Sequence, residues 1–130
     1  MITANEAIIV RAYEAFHAGD MDAIKNECFS QDIEWTWPGT GPLSGVYNDI
    51  NAVLGMFGKL FTDSEGTFKD TPDSISGFGD FVVVRSRASW KGRHGSYDDP
   101  YIQVFRIENG RASECSIHLN DMKIWDQFPA

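Results

Sequence analysis

A chain of 130 residues, 42% of them hydrophobic, has the size of one domain and can close a core without disulfide or metal staples. Its formal net charge of -8 repels phosphate backbones and anionic lipid, which argues against nucleic acid and membrane partners. The N-terminal MITANEAIIV lacks the basic region of a signal peptide, and no stretch approaches the roughly 20 apolar residues of a membrane span.

Thr3 or Asn5 caps a first helix, with Glu6 in its first turn and Ile9, Tyr13 and Phe16 along one face. Gly19 ends it. Asp20 or Asp22 starts a second, shorter helix that runs to about Phe29. Asp32 to Trp37 alternates as a half-buried strand, with Ile33, Trp35 and Trp37 on one side. Pro38 to Pro42 is a turn-rich loop. Asn48 or Asp49 opens a third helix, whose apolar stripe includes Ile50, Val53, Leu54, Phe57, Leu60 and Phe61. Gly55 and Gly58 either weaken it by about 1 kcal/mol each relative to Ala or admit a neighbouring backbone.

The remainder reads as a four-stranded meander. Its strands are Thr67 to Phe78 (an edge or bulge at Pro72), Phe81 to Trp90, Tyr101 to Glu108 and Ala112 to Leu119. Asn109-Gly110 is a hairpin turn signal. Asp121 to Phe128 forms a short closing helix. Helices and strands are largely segregated, so the chain reads as one α+β domain over residues 1–130. Cys28 and Cys115 have neither zinc-site nor disulfide-framework spacing; they read as small packed hydrophobes and fit a reducing, cytoplasmic setting.

YEAFHAGDMDAI, PGTGPLSGVY, AVLGMF, VFRIENGRASE and HLNDMKIWDQF follow one another in this order. Together they resemble the SnoaL-like branch of the nuclear transport factor 2-like superfamily, over nearly the whole chain. The resemblance implies a cone-shaped α+β barrel, with three N-terminal helices packed on a strongly curved, mostly antiparallel sheet around a deep cavity. Such domains often dimerise through the outer sheet face. The family mixes isomerases, cyclases, dehydratases, hydrolases and binding proteins, so fold alone does not settle the reaction.

Ketosteroid isomerases of this fold use a carboxylate base, a protonated acid and a helix Tyr. By flanking residues, the base position falls on Trp37 before Pro38 and the acid on Gln103 before Phe105-Arg106. The helix Tyr falls near Ala12 or Tyr13. Trp cannot take a proton and Gln only hydrogen-bonds, so ketosteroid-type isomerisation is not expected.

If Gln103 faces inward, strand parity sends Tyr101, Phe105, Val84, Ser86, Trp90, Cys115 and Ile117 inward with it. The expected ligand-binding set is Trp35, Trp37, Phe57, Phe61, Ser86, Trp90, Tyr101, Gln103 and Ile117. Trp35 and Trp37 read equally as core. Asp121, at the expected pocket mouth, is either a catalytic base or the cap of the last helix; Tyr13 is the other catalytic candidate. Arg85, Arg87, Arg106, Glu114 and His118 face outward, as a cross-strand charge ladder or an anion-binding cluster. His17 should meet the first helix dipole and His94 lies in a turn, so neither a metal site nor a cofactor is expected. Two functions stay open. One is binding of a small apolar, cyclic molecule with acid–base chemistry of isomerase, cyclase or dehydratase type. The other is a non-catalytic dimeric binding or sensor module with a vestigial cavity.

Overall fold

The first helix, α1 (Ala4–Ala18), begins where local chemistry dictates. The Thr3 hydroxyl accepts from the Glu6 amide at 3.1 Å, and the Glu6 carboxylate accepts from the Thr3 amide at 2.8 Å, a reciprocal capping box. It stops at Gly19, whose φ of 72° lets the Gly19 and Asp20 amides return to the Phe16 and Ala15 carbonyls. The computed structural model describes residues 2–130.

Asp20 caps α2 (Met21–Ala23), accepting from the Ala23 amide at 3.0 Å. The helix does not run on to Phe29 as a regular α-helix. It widens into a π turn over Ile24–Cys28, and Phe29 is already the first residue of β1 (Phe29–Trp37). Alternation wins over helix periodicity there because Phe29, Ile33, Trp35 and Trp37 all reach the core from one strand face.

A short strand absent from the sequence reading, β2 (Gly45–Tyr47), pairs antiparallel with the end of β1. Asp49 then caps α3 (Ile50–Asp63). The meander follows as β3 (Lys69–Phe78), β4 (Phe81–Gly92), β5 (Gly95–Glu108) and β6 (Arg111–Leu119). Pro72 sits at a register shift on β3, an edge strand, where its missing N–H leaves no ladder partner stranded. Asn109 and Gly110 both take positive φ, 52° and 75°, in the tight turn between β5 and β6. The last helix, α4 (Met122–Trp125), is shorter than Asp121 to Phe128.

All six strands form one sheet in the order β2-β1-β6-β5-β4-β3. Every pairing is antiparallel except β1 with β6, so the sheet is mixed. β1 and β3 are separated by three strands, yet both contribute to one cavity wall, so the sheet curls strongly. Its edges, β2 and β3, stay unpaired with each other, so the barrel is open. The alternating burial of β4, β5 and β6 puts Val84, Ser86, Trp90, Tyr101, Gln103, Phe105, Cys115 and Ile117 on the buried face. Both cysteines are buried and unpaired. Among the described residues no helix is long and apolar enough to cross a membrane.

Two glycines separate backbone cost from packing need. Gly58 is exposed within α3, and a Cβ there meets nothing within 4 Å, so no neighbouring backbone exploits it. A Cβ on Gly41 would collide with the Asp126 backbone, where the Pro38–Ser44 loop lies against the end of α4. Gly58→Ala should raise unfolding stability by about 0.5–1 kcal/mol. Gly41→Ala should lower it by about 1–3 kcal/mol through overpacking. Urea denaturation reads both, and equal effects at the two sites would contradict this account.

Candidate functional site

Between the concave sheet face and helices α1 and α3 lies a cavity of about 40 Å³. Its walls are almost wholly aromatic and aliphatic, with Phe16, Phe29, Trp35, Trp37, Phe57 and Phe105 among them. The rings meet edge to face: Trp35 lies 5.3 Å from Phe57 and 5.7 Å from Phe105, at interplanar angles of 85° and 80°. The volume suffices for a few waters but falls below the roughly 150 Å³ that accommodates benzene.

One wall is polar. Asp70 on β3 is 7% exposed and stands opposite Ala88 of β4. Its carboxylate accepts from the Tyr101 hydroxyl at 2.6 Å, the Tyr13 hydroxyl at 3.3 Å and the Gln103 amide at 3.4 Å, and from a close Ser86 hydroxyl. The Tyr13 hydroxyl also donates to Gln103 Oε1 at 2.8 Å, and Gln103 Nε2 donates to the Tyr101 oxygen at 2.6 Å. Tyr13, Asp70, Tyr101 and Gln103 all line the cavity, and Ser86 stands behind Asp70. From α1, the His17 ring donates through Nε2 to the Asp70 main-chain carbonyl at 2.7 Å, so His17 serves β3 rather than its own helix end.

No cation touches the Asp70 carboxylate among the described residues. Burial pushes its pKa up, while the hydrogen bonds from Ser86, Tyr101 and Tyr13 pull it back down. Burial, and then the nearby Asp70 charge, hold the Tyr13 and Tyr101 phenols well above their ordinary range, so both stay protonated donors at neutral pH.

Of the residues expected from the sequence to bind ligand, Trp35, Trp37, Phe57, Tyr101 and Gln103 line this cavity, as does Tyr13. Phe61 is half-buried and lines a neighbouring surface depression with His17 and Lys69. Phe16, Phe68 and Asp70 border both spaces and form the partition between them. Trp90 stands apart from the cavity, its ring 4.5 Å from Trp125, and Ile117 is core. Asp121 is exposed, and its carboxylate caps α4 by accepting from the Lys123 amide at 3.2 Å. Asp121 is not among the residues that line the cavity, and the segment it opens packs Trp125 and Phe128 into the core. On the outer face Arg106 stands opposite Glu114 in register, but its ion pair at 3.0 Å is with Glu108.

Two buried carboxylates, Asp70 and Asp99, escaped the sequence reading. Parity held the signal for both. Asp99 shares a face with Tyr101 and Gln103, and Asp70 with buried Phe68. Asp99 is fully committed to structure, accepting from the Asn120 amide and side chain, the Asp121 amide and the Trp125 indole. Among the described residues no group of three or more His, Cys, Asp or Glu is placed to hold a metal ion.

A profile for SnoaL-like domains matches residues 9–115. No curated protein matches the sequence. Bal32a, from a soil-derived mobile gene cassette, superposes with a TM-score of 0.90 at 28% identity, over 96% of this chain and 95% of that one. An NTF2-like protein of unknown function from Burkholderia pseudomallei K96243 gives 0.81 at 23% identity, over 99% and 100% of the two chains. TerC, co-crystallised with polyporic acid, gives 0.82 at 19% identity, over 96% and 97%.

The Asp70 environment has a pH signature. Its folded pKa lies above the ordinary 3.8, so folding favours the protonated form. That contribution is complete below the unfolded value and is lost as pH rises through the folded one. Relative to Asp70→Asn, which does not titrate, the wild type should therefore lose stability as pH rises from below the ordinary carboxylate value of 3.8 through the raised folded one. Denaturant titrations of both proteins across that range would show the difference drifting toward the variant; a flat difference would mean that Asp70 is not desolvated.

Proposed function

The chain belongs to the SnoaL-like family, and from that premise we propose that it binds a small, apolar, cyclic molecule in the cavity and moves a proton on it through Asp70. One observation carries this reading: a buried carboxylate with no Lys or Arg partner among the described residues, on the one polar wall of a cavity lined elsewhere by apolar side chains. Such a carboxylate is a stronger base than one in water. It can take a proton from a carbon next to a carbonyl, becoming the neutral acid, while a phenol from Tyr13 or Tyr101 holds the enolate oxygen. Returning the proton at another carbon isomerises the substrate; expelling a hydroxyl dehydrates it; attack on a second carbonyl closes a ring. TerC, of the same fold, was co-crystallised with polyporic acid, which favours a small-molecule use of this fold.

The cavity at about 40 Å³ admits no ring until aromatic side chains of the partition swing aside, so binding is coupled to movement of Phe16 and Phe68. The same small volume favours the second reading, a non-catalytic module. Hydrogen exchange at the activated carbon of β-tetralone in heavy water separates the two. Wild type should accelerate exchange over buffer, and Asp70→Asn should lose about 10²–10⁴-fold of that acceleration while still quenching tryptophan fluorescence with the ketone. Binding without any accelerated exchange would select the non-catalytic module.

The outer sheet face supports a homodimer as part of this proposal. Half-buried Val83, Ile102 and Val104 form its apolar centre, beside Phe81, which is 43% exposed. Sedimentation should give a dimer at micromolar concentration and Val104→Glu should give a monomer; a monomeric wild type would remove this assembly.

A further inference from the structure

All four tryptophans of the chain are at most 5% exposed, yet their indole N–H groups fall into two classes. Trp90 donates to the Pro129 carbonyl at 3.1 Å, and Trp125 donates to Asp99 at 2.9 Å. Trp35 and Trp37 have no acceptor among the described residues. These two are the tryptophans that line the cavity. They stand two residues apart on one face of β1, so they belong to one patch of wall.

A buried donor without a partner has lost its bond to water and gained none in return, and such groups are rare in folded proteins. Two together on the residues of one strand that line the cavity beside Asp70 call for a common reason. We propose that Trp35 and Trp37 form an acceptor-recognising subsite, and that the ligand carries a neutral oxygen acceptor, of carbonyl type, directed at their N–H groups. This inference rests on the ring-binding reading above and adds the chemistry of one end of the ligand.

The class follows from the donors and their surroundings. An indole N–H only donates, so its partner must accept. No Lys or Arg lines the cavity, and Asp70 does, so an anionic oxygen would be both desolvated and repelled. A carbonyl oxygen has two lone pairs, enough for both indoles, and no hydrogen to strand. β1 and β3 stand on opposite sides of the curled sheet. The ligand therefore lies between a donor pair at β1 and the Asp70 cluster at β3, with its acceptor and its proton-yielding group at different ends.

Fluorenone and fluorene, flat tricycles that differ by one carbonyl oxygen, test this. Wild type should bind fluorenone at least about fivefold more tightly than fluorene. Trp35→Phe with Trp37→Phe removes both donors and should bring the fluorenone-to-fluorene affinity ratio to about one, a ratio that a change in ring packing shared by the two tricycles does not move. Heteronuclear NMR of the wild type gives a readout that needs no variant. Fluorenone should move two indole N–H signals downfield and leave those of Trp90 and Trp125 in place, and fluorene should move none downfield. Equal affinities for the two tricycles, or indole shifts that do not depend on the carbonyl, would overturn the subsite while ring binding stands. Failure of both tricycles to bind would overturn the ring-binding reading, and the subsite with it.

Discussion

A carboxylate removed from water has to be surrounded by donors, and the Asp70 carboxylate gathers them from three other elements. Tyr13 comes from α1, Ser86 from β4, and Tyr101 and Gln103 from β5. His17 of α1 holds the main chain of the same residue. These bonds fasten the first helix and the third, edge strand onto the concave face of the sheet. The cavity exists because α1 is held there at the height of a polar cluster, with aromatic rings around it that cannot fill the remaining space completely.

The two buried acids divide structural and chemical roles by what their donors are. Around Asp99 the donors are two backbone amides, a side-chain amide and an indole, all locked in the turn from β6 into α4. That carboxylate is saturated and away from the cavity, and it positions Trp125 against Trp37 and Trp90. Around Asp70 most donors are hydroxyls, which can rotate and can accept as well as donate. A cluster of rotatable hydroxyls tolerates a change in the protonation of its acid, which a ring of amides does not. The same distinction separates Trp90 and Trp125, whose indoles are fixed to protein acceptors, from Trp35 and Trp37, whose indoles are not.

Much of this was legible in the chain. The Thr3 and Glu6 box, the Gly19 stop and the Asn109-Gly110 turn are local, and each is set by residues within one turn of one another. Alternation placed Trp35, Trp37, Tyr101 and Gln103 on a buried face, since period two leaves one choice once one residue is anchored in the core. Asp70 and Asp99 obeyed the same alternation and went unread, because an acid at an inward position looks like a surface residue until its donors are known. The π turn at Ile24–Cys28 and the three-residue strand β2 were invisible for a different reason: both depend on what β1 pairs with.

The sequence by itself determined the α+β class, the order of most elements and the face each strand buries, because helix caps, turn residues and side-chain periodicity act over a few residues. It also carried the resemblance to SnoaL-like domains. Only the tertiary structure decided which acid faces the cavity. Asp121 and Asp70 are both aspartates in chain segments that also carry core aromatics, but the first is an exposed cap of α4, whereas the second meets hydroxyls from residues 13, 86 and 101. The physical reason is that a carboxylate's basicity and reach are set by what surrounds it in space, and those partners lie 16 to 57 residues away along the chain.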